Sequence, residues 1–258
     1  MFTTTLNAAG GAAGSFDPIH SIYEGGVVSI TTAAILVLML LVSFYILLTK
    51  WFEQQKIINQ GRRMRAQFWN ASNLREGAAK LERNSAYRQI VDDGIAAQDQ
   101  HRMLTDPVEA HDWLHGSLKR SEASINSQLD GGLAFLATVG ATAPFIGLFG
   151  TVVGILRALI KIGAEGQASI GTVAGPVGEA LIMTAFGLVV AVPAVLAYNW
   201  LQRRNKAIAE NLSTFSNDVL GYLASNGAVR PTGRAAPARG TSTGTTTAGQ
   251  TGGVQTTA

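Results

Sequence analysis

GPVGEALIMTAFGLVVAVPAVLAYNW, residues 175–200, decides the fold. As a helix rising 1.5 Å per residue, a stretch of this length crosses a hydrocarbon layer of ~30 Å. Its single charge is Glu179, which is also the single charge between Gly166 and Gln202. A carboxylate placed within a bilayer is unfavourable by roughly 2.5–3.5 kcal/mol on insertion scales, so such residues usually face a bundle interior or a hydrated path. A second reading of Glu179 also stands. If the apolar layer begins at Val177, the residue is an interfacial carboxylate near a helix N-terminus, where the helix dipole favours it.

Two further uncharged runs lie upstream, residues 25–49 between Glu24 and Lys50, and residues 131–156 between Asp130 and Arg157. The first includes AAILVLMLLV at 33–42; it is too long, and lacks the basic start, for a cleaved signal peptide. Only 14% of the 258 residues are charged against 47% apolar, whereas soluble domains average about 25% charged. There is no cysteine, which excludes disulfides and thiolate metal sites.

Direction follows from the cations at the span ends. Lys50, Lys56, Arg62, Arg63 and Arg65 follow the first run, Lys119 and Arg120 precede the second, and Arg203, Arg204 and Lys206 follow the third. All three groups lie inside when the N-terminus is outside. Arg157 and Lys161 break the pattern, and either snorkel to the outer interface or pair with Glu165. The basic residues border apolar spans and form no nucleic-acid surface, so the lipid bilayer is the expected partner. The chain is therefore expected to cross a membrane with its N-terminus outside and its C-terminus inside.

These readings predict an all-α membrane protein with three transmembrane helices and long cytoplasmic helical extensions. The expected organisation is a periplasmic segment 1–26, transmembrane helix 27–49, cytoplasmic helical domain 50–130, transmembrane helix 131–162, periplasmic turn 163–176, transmembrane helix 177–201, cytoplasmic extension 202–225 and a low-complexity, disordered tail 226–258. Within 51–130 eleven basic residues balance eleven acidic ones, and Leu114, Leu118, Ile125 and Leu129 recur at helical spacing. Long amphipathic helices, continuing spans one and two, are expected there.

The second and third spans carry the chemistry. Thr138, Thr142 and Thr151 share span two with Pro144 and with glycines at 140, 147, 150 and 154; Thr184, Gly187 and Pro193 follow Glu179 in span three. Gly150-xxx-Gly154 and Gly187-xxx-Ala191 are small-xxx-small patterns that let helix backbones approach closely. Pro144 and Pro193 remove the amide donors of the Gly140 and Val189 carbonyls, tolerable in a membrane where a neighbour or water replaces them. Thr184 lies about 140° around the helix from Glu179, so it flanks that face. Close-packed helices beside a partly hydrated path are the expectation. His111 and His115 have the i, i+4 spacing of a helical metal pair but no third ligand, so no metal site is expected. Neither a GxxxxGK[ST] phosphate loop nor a GxSxG elbow is present, and no cofactor and no enzymatic activity are expected.

ATAPFIGLFGTVVGI at 141–155, followed by GPVGEALIMTAFGLVVAVPAVLAYN at 175–199, resembles the hallmark blocks of the MotA/TolQ/ExbB proton-channel family. The blocks cover about 40 residues, and the three-span layout with a large inner loop extends the likeness across 25–225. MotA-type members have four spans, so the likeness is to the ExbB branch. The resemblance implies a homo-oligomeric ring, a pentamer, around the membrane helices of an ExbD-type partner whose transmembrane aspartate binds and releases protons. It implies a TonB-type protein as the energised partner, and a place in the bacterial inner membrane with the N-terminus periplasmic and the C-terminus cytoplasmic. By the same resemblance Glu179 stands at the family's functional glutamate, and Thr151 and Thr184 at its pore-lining threonines, with Pro144, Gly150, Gly154, Gly187 and Pro193 setting helix packing and kinks. A TolQ-like subunit of the Tol-Pal envelope motor and a non-conducting scaffold are the alternatives.

Overall fold

A computed structural model describes residues 26–104, 109–165 and 170–230, with the side chains at 66, 165, 170–175 and 179 outside that description. Most of the expected N-terminal segment and most of the expected tail also lie outside it. The described residues form six helices and no strand: α1 (Gly26–Gln67), α2 (Leu74–Ala79), α3 (Ala86–His101), α4 (Ala110–Asp130), α5 (Leu133–Glu165) and α6 (Ile170–Ala224). Three stretches are long and apolar enough to cross a membrane, within Gly26–Arg65, Ala110–Ala164 and Pro176–Ala224.

At 1.5 Å per residue, the 42 residues of α1 span about 63 Å and the 55 of α6 about 82 Å. Both are at least twice the depth of a hydrocarbon layer, so each continues from an apolar end into a polar end. Residue pairs fix how they run. Gly26 lies beside Arg157, Thr32 beside Gly150 and Ile46 beside Gly132, so α1 and α5 are antiparallel. Gln54 reaches Leu201 and Arg65 reaches Asn211, so α1 and α6 are parallel.

The two ends bury opposite things. Along the apolar end large side chains face outward: Leu38, Leu41 and Tyr45 on α1, Phe145, Phe149 and Ile160 on α5, Leu181, Val189 and Leu196 on α6, all about half or more exposed. A continuous apolar surface on three helices needs lipid or another chain to cover it. At the polar end the apolar residues turn inward. Met64, Phe68, Tyr87, Ile90, Val91, Leu114, Leu118, Ile125, Leu129, Leu212, Phe215 and Val219 form one core shared by α1, α3, α4 and α6. Edge-to-face contacts of Phe68 and Tyr87 on Phe215, at 5.2 and 5.3 Å between centroids, tie α1 and α3 to α6. Burial pushes the Tyr87 phenol above its ordinary pKa, against a smaller opposing pull from Arg65.

Local chemistry sets the helix ends. Asn73 Oδ1 accepts from the Glu76 amide at 2.8 Å, and Ser85 Oγ accepts from the Arg88 amide at 3.1 Å, capping α2 and α3. After α6 the chain reverses through Asn226 and Gly227 at positive φ, with the Gly227 amide donating to Tyr222 O at 2.8 Å.

The structure departs from expectation in two places. The extension of span two is interrupted, because Gly131 and Gly132 form a turn between α4 and α5. Gly132 has φ +83°, a conformation that favours glycine, and a Cβ there would stand 3.1 Å from Ile46 Cγ2, a tight approach. Helix α6 begins at Ile170, so Glu179 is the tenth residue of the helix and lies beyond the first turn, where the dipole acts.

Leu118 is 1% exposed, with a methyl 3.3 Å from the Cβ position of Gly94. Leu118→Ala is expected to destabilise the polar end by about 2–5 kcal/mol, read as a lowered thermal midpoint of the detergent-purified protein. An unchanged midpoint contradicts this core.

Candidate functional site: the α5/α6 seam

Small residues bring α5 and α6 together along their apolar length. Gly147 and Gly187 face each other so closely that a Cβ on either would lie 3.1 Å from the other's Cα. The same Cβ on Gly187 would stand 2.7 Å from the Ala143 carbonyl oxygen, and on Gly147 2.6 Å from that of Met183. Towards one end Gly154 meets Ala180, at 3.0 Å from a built Cβ; towards the other Gly140 meets Val195. Gly150 packs on Met183 and on Thr32 of α1, at 3.0 and 3.3 Å, so it serves two neighbours at once. Ala191 is buried against Leu36, Val139, Ala143, Val190 and Ala194. Helices α5 and α6 continue through Pro144 and Pro193, and α6 also through Pro176.

This close approach brings two hydroxyls into contact across the seam. Thr151, 8% exposed, has Oγ1 at 3.1 Å from both Gly147 O and Ala180 O, and in direct hydrogen-bond contact with Thr184 Oγ1. A hydroxyl has one proton and two acceptor lone pairs. When Thr151 donates to the carbonyls, Thr184 donates to Thr151. The Ala180 carbonyl belongs to the residue after Glu179, and Pro176 O lies 3.7 Å from a Cβ built on Gly154. The turn of α6 that carries Glu179 is therefore pinned to α5 by a hydrogen bond and by glycine packing. The Glu179 side chain itself lies outside the described residues. Thr138 and Thr142 do not join this site; each hydroxyl donates to the carbonyl four residues earlier, at 2.8 Å.

The remaining candidates lie elsewhere. Arg157 is half-buried and packs over Gly26, with Nη1 3.3 Å from a Cβ built there, while Lys161 is exposed. His111 and His115 stack in parallel on the exposed side of α4 with centroids 6.2 Å apart, and among the described residues no group of three metal-ligating side chains occurs.

A contact that spacing does not signal joins three helices at the polar end. Gln54 of α1, fully buried, donates from Nε2 to Leu201 O at 3.0 Å and to Asn205 Oδ1 at 2.6 Å. Asn205 Nδ2 donates onward to Asp130 Oδ1 at 2.9 Å. A glutamine amid the apolar-to-polar crossover of α1 was the available clue.

Helices of this length, apolar outward at one end and joined by a glycine seam, are those of a membrane protein. Residues 82–214 match the MotA/TolQ/ExbB proton channel family. The Biopolymer transport protein ExbB of Xanthomonas campestris pv. campestris strain B100 is 37% identical over 205 residues, covering 76% of this chain and 81% of that protein. The ExbB of Neisseria gonorrhoeae is 51% identical over 116 residues, 45% of this chain and 53% of its own length. The Tol-Pal system protein TolQ of Pseudomonas aeruginosa is 32% identical over 191 residues, covering 68% and 81%. The chain belongs to the MotA/TolQ/ExbB proton channel family.

Hydrogen bonds between membrane helices average about 0.6 kcal/mol and reach about 1.7. A double-mutant cycle of Thr151→Val and Thr184→Val, followed by denaturant unfolding in detergent micelles, is expected to show a coupling in that range. Additive single effects contradict the paired hydroxyls.

Proposed function

We propose that this chain is the ring subunit of an inner-membrane motor driven by the proton-motive force, acting with an ExbD-like protein to energise a TonB-like protein for transport across the outer membrane. One observation carries the reading: the Thr151–Thr184 hydroxyl pair holds the Glu179 turn against α5. A polar pair in a glycine-packed membrane seam, beside a carboxylate, suits the flank of a proton path whose carrier is an aspartate on the partner's helix. The chain forms a homo-oligomeric ring, a pentamer, around that helix, and copies of itself cover part of the exposed apolar face. Glu179, Thr151 and Thr184 line the path, while Gly150, Gly154 and Gly187 set the spacing of the helices beside it.

Glu179→Gln is the decisive variant. In cells lacking the native copy, TonB-dependent siderophore uptake is expected to fall to background while the complex still assembles. Normal uptake by an assembled Glu179→Gln complex removes the proton-path reading and leaves a non-conducting scaffold. The likeness to a TolQ favours a second reading, a subunit of the Tol-Pal envelope motor. Restoration of outer-membrane integrity in a strain lacking TolQ, without restoration of siderophore uptake in one lacking ExbB, selects it.

The polar end, with Lys56, Arg62, Arg63, Arg203 and Lys206, is cytoplasmic in this proposal, and the N-terminus periplasmic. The chain has no cysteine, and Gly163 near the end of α5 has nothing within 4 Å of a Cβ position. Gly163→Cys is expected to react with a membrane-impermeant maleimide in intact spheroplasts. Reaction only after permeabilisation reverses the orientation.

A further inference from the structure

At the polar end of the α5/α6 pair, the amide chain from Gln54 through Asn205 has one permitted direction. Reversing Gln54 would aim its carbonyl at two acceptors, Leu201 O and Asn205 Oδ1. Reversing Asn205 would aim its carbonyl at the Asp130 carboxylate and its amide at a donor. The chain therefore terminates on an acceptor, Asp130 Oδ1. Gln54 Oε1 is buried with no hydrogen-bond partner, so this amide is held here for its two donated bonds.

Asp130 Oδ1 is held by the bond from Asn205, and Asp130 itself is exposed at the surface. Asp130 is the last residue of α4, just ahead of the Gly131–Gly132 turn. It lines a pocket of about 450 Å³ with Asn126, Gln202, Arg203, Asn205 and Lys206. The pocket is an open surface groove, with Asp130, Gln202, Arg203 and Lys206 all exposed, so water in it exchanges with bulk solvent. Gln202 lies eighteen residues, five full turns, below Thr184 on α6, hence on the same side of that helix and about 27 Å away. The charged groups beside Asp130 are Arg203 and Lys206 on α6, and Lys50 on α1. Lys50 is engaged with Glu53 Oε2 and Gln128 O, each at 2.7 Å. A positively charged rim repels a proton, and Asp130 is the one acid lining this pocket.

We propose that Asp130 is the proton-release group at the cytoplasmic mouth of the path, and that Asn205 and Gln54 are its positioning residues. The proposal rests on the proton-path reading above. A hydronium arriving in the pocket passes its proton to Asp130 Oδ2; its O–H bond breaks as the carboxyl O–H bond forms, leaving a water and a neutral carboxyl. The same bond then breaks, the proton leaves to bulk water, and the carboxylate regains its charge. Asn205 Nδ2 donates to Oδ1 throughout, so the side chain keeps its place in both states.

The test uses the whole complex, reconstituted in proteoliposomes, with proton flux measured against internal pH. Asp130→Asn keeps an acceptor for Asn205 and nearly the same volume but does not titrate. It is expected to assemble with an unchanged thermal midpoint, to conduct severalfold more slowly and to lose the internal-pH dependence. Asp130→Glu is expected to recover part of the flux with a displaced pH profile. Asp130→Asn with parental flux and pH profile, alongside an inactive Glu179→Gln, overturns the release role and leaves a structural latch. If Glu179→Gln also conducts normally, the underlying path reading has failed instead. Should Asp130→Asn not assemble, Asn205→Ser decides: it loosens the clamp and leaves the carboxylate. A displaced pH profile in Asn205→Ser supports positioning, and an unchanged one overturns it.

Discussion

The contact between Gly147 and Gly187 is the constraint on which the membrane part of this protein depends. With no side chain on either residue, the two backbones close until the Cα of one would nearly touch a Cβ on the other. Dispersion contacts fall away steeply with distance, and between membrane helices they replace the hydrophobic drive that lipid removes. Only at this separation does the Thr151 hydroxyl reach a carbonyl of α6 and the hydroxyl of Thr184. The polar pair follows from the glycines, and the placement of the turn bearing Glu179 follows from the pair.

The same chain solves two solvation problems with continuous helices. Helices α1 and α6 carry outward-facing apolar residues at one end and an inward aromatic and aliphatic core at the other. At the crossover backbone carbonyls and amide side chains satisfy one another. Gln54, Asn205 and Asp130 form one such group, joining α1, α6 and α4 at a single level. Helices α1 and α6 run unbroken from the base to the seam, while the Gly131–Gly132 turn separates α4 from α5.

Part of the candidate site was legible in residue order and part was not. Glu179, Thr151 and Thr184 stand out because hydroxyls and a lone carboxylate are conspicuous in apolar runs. Gly147 does not stand out among four glycines of span two, since nothing local distinguishes the one that meets Gly187 from its neighbours. The turn at Gly131–Gly132 had a local sign, two glycines after an amphipathic helix, yet the apolar run beginning there suggested a continuous extension. The start of α6 at Ile170 falls within the stretch 163–176 expected as a turn, and Pro176 sits inside the helix.

By itself, the sequence determined three membrane-length apolar helices, an amphipathic helical base and family membership. Each is a property of contiguous residues: length without charge, period of apolar positions, and short blocks of residue identity. Tertiary structure alone decided the register of α5 on α6, the meeting of Thr151 with Thr184, and the clamp on Asp130. These join residues 33, 75 and 151 positions apart in the chain. No local propensity specifies such a pairing. It is settled by which surfaces can approach closely enough for a hydroxyl or an amide to find a partner.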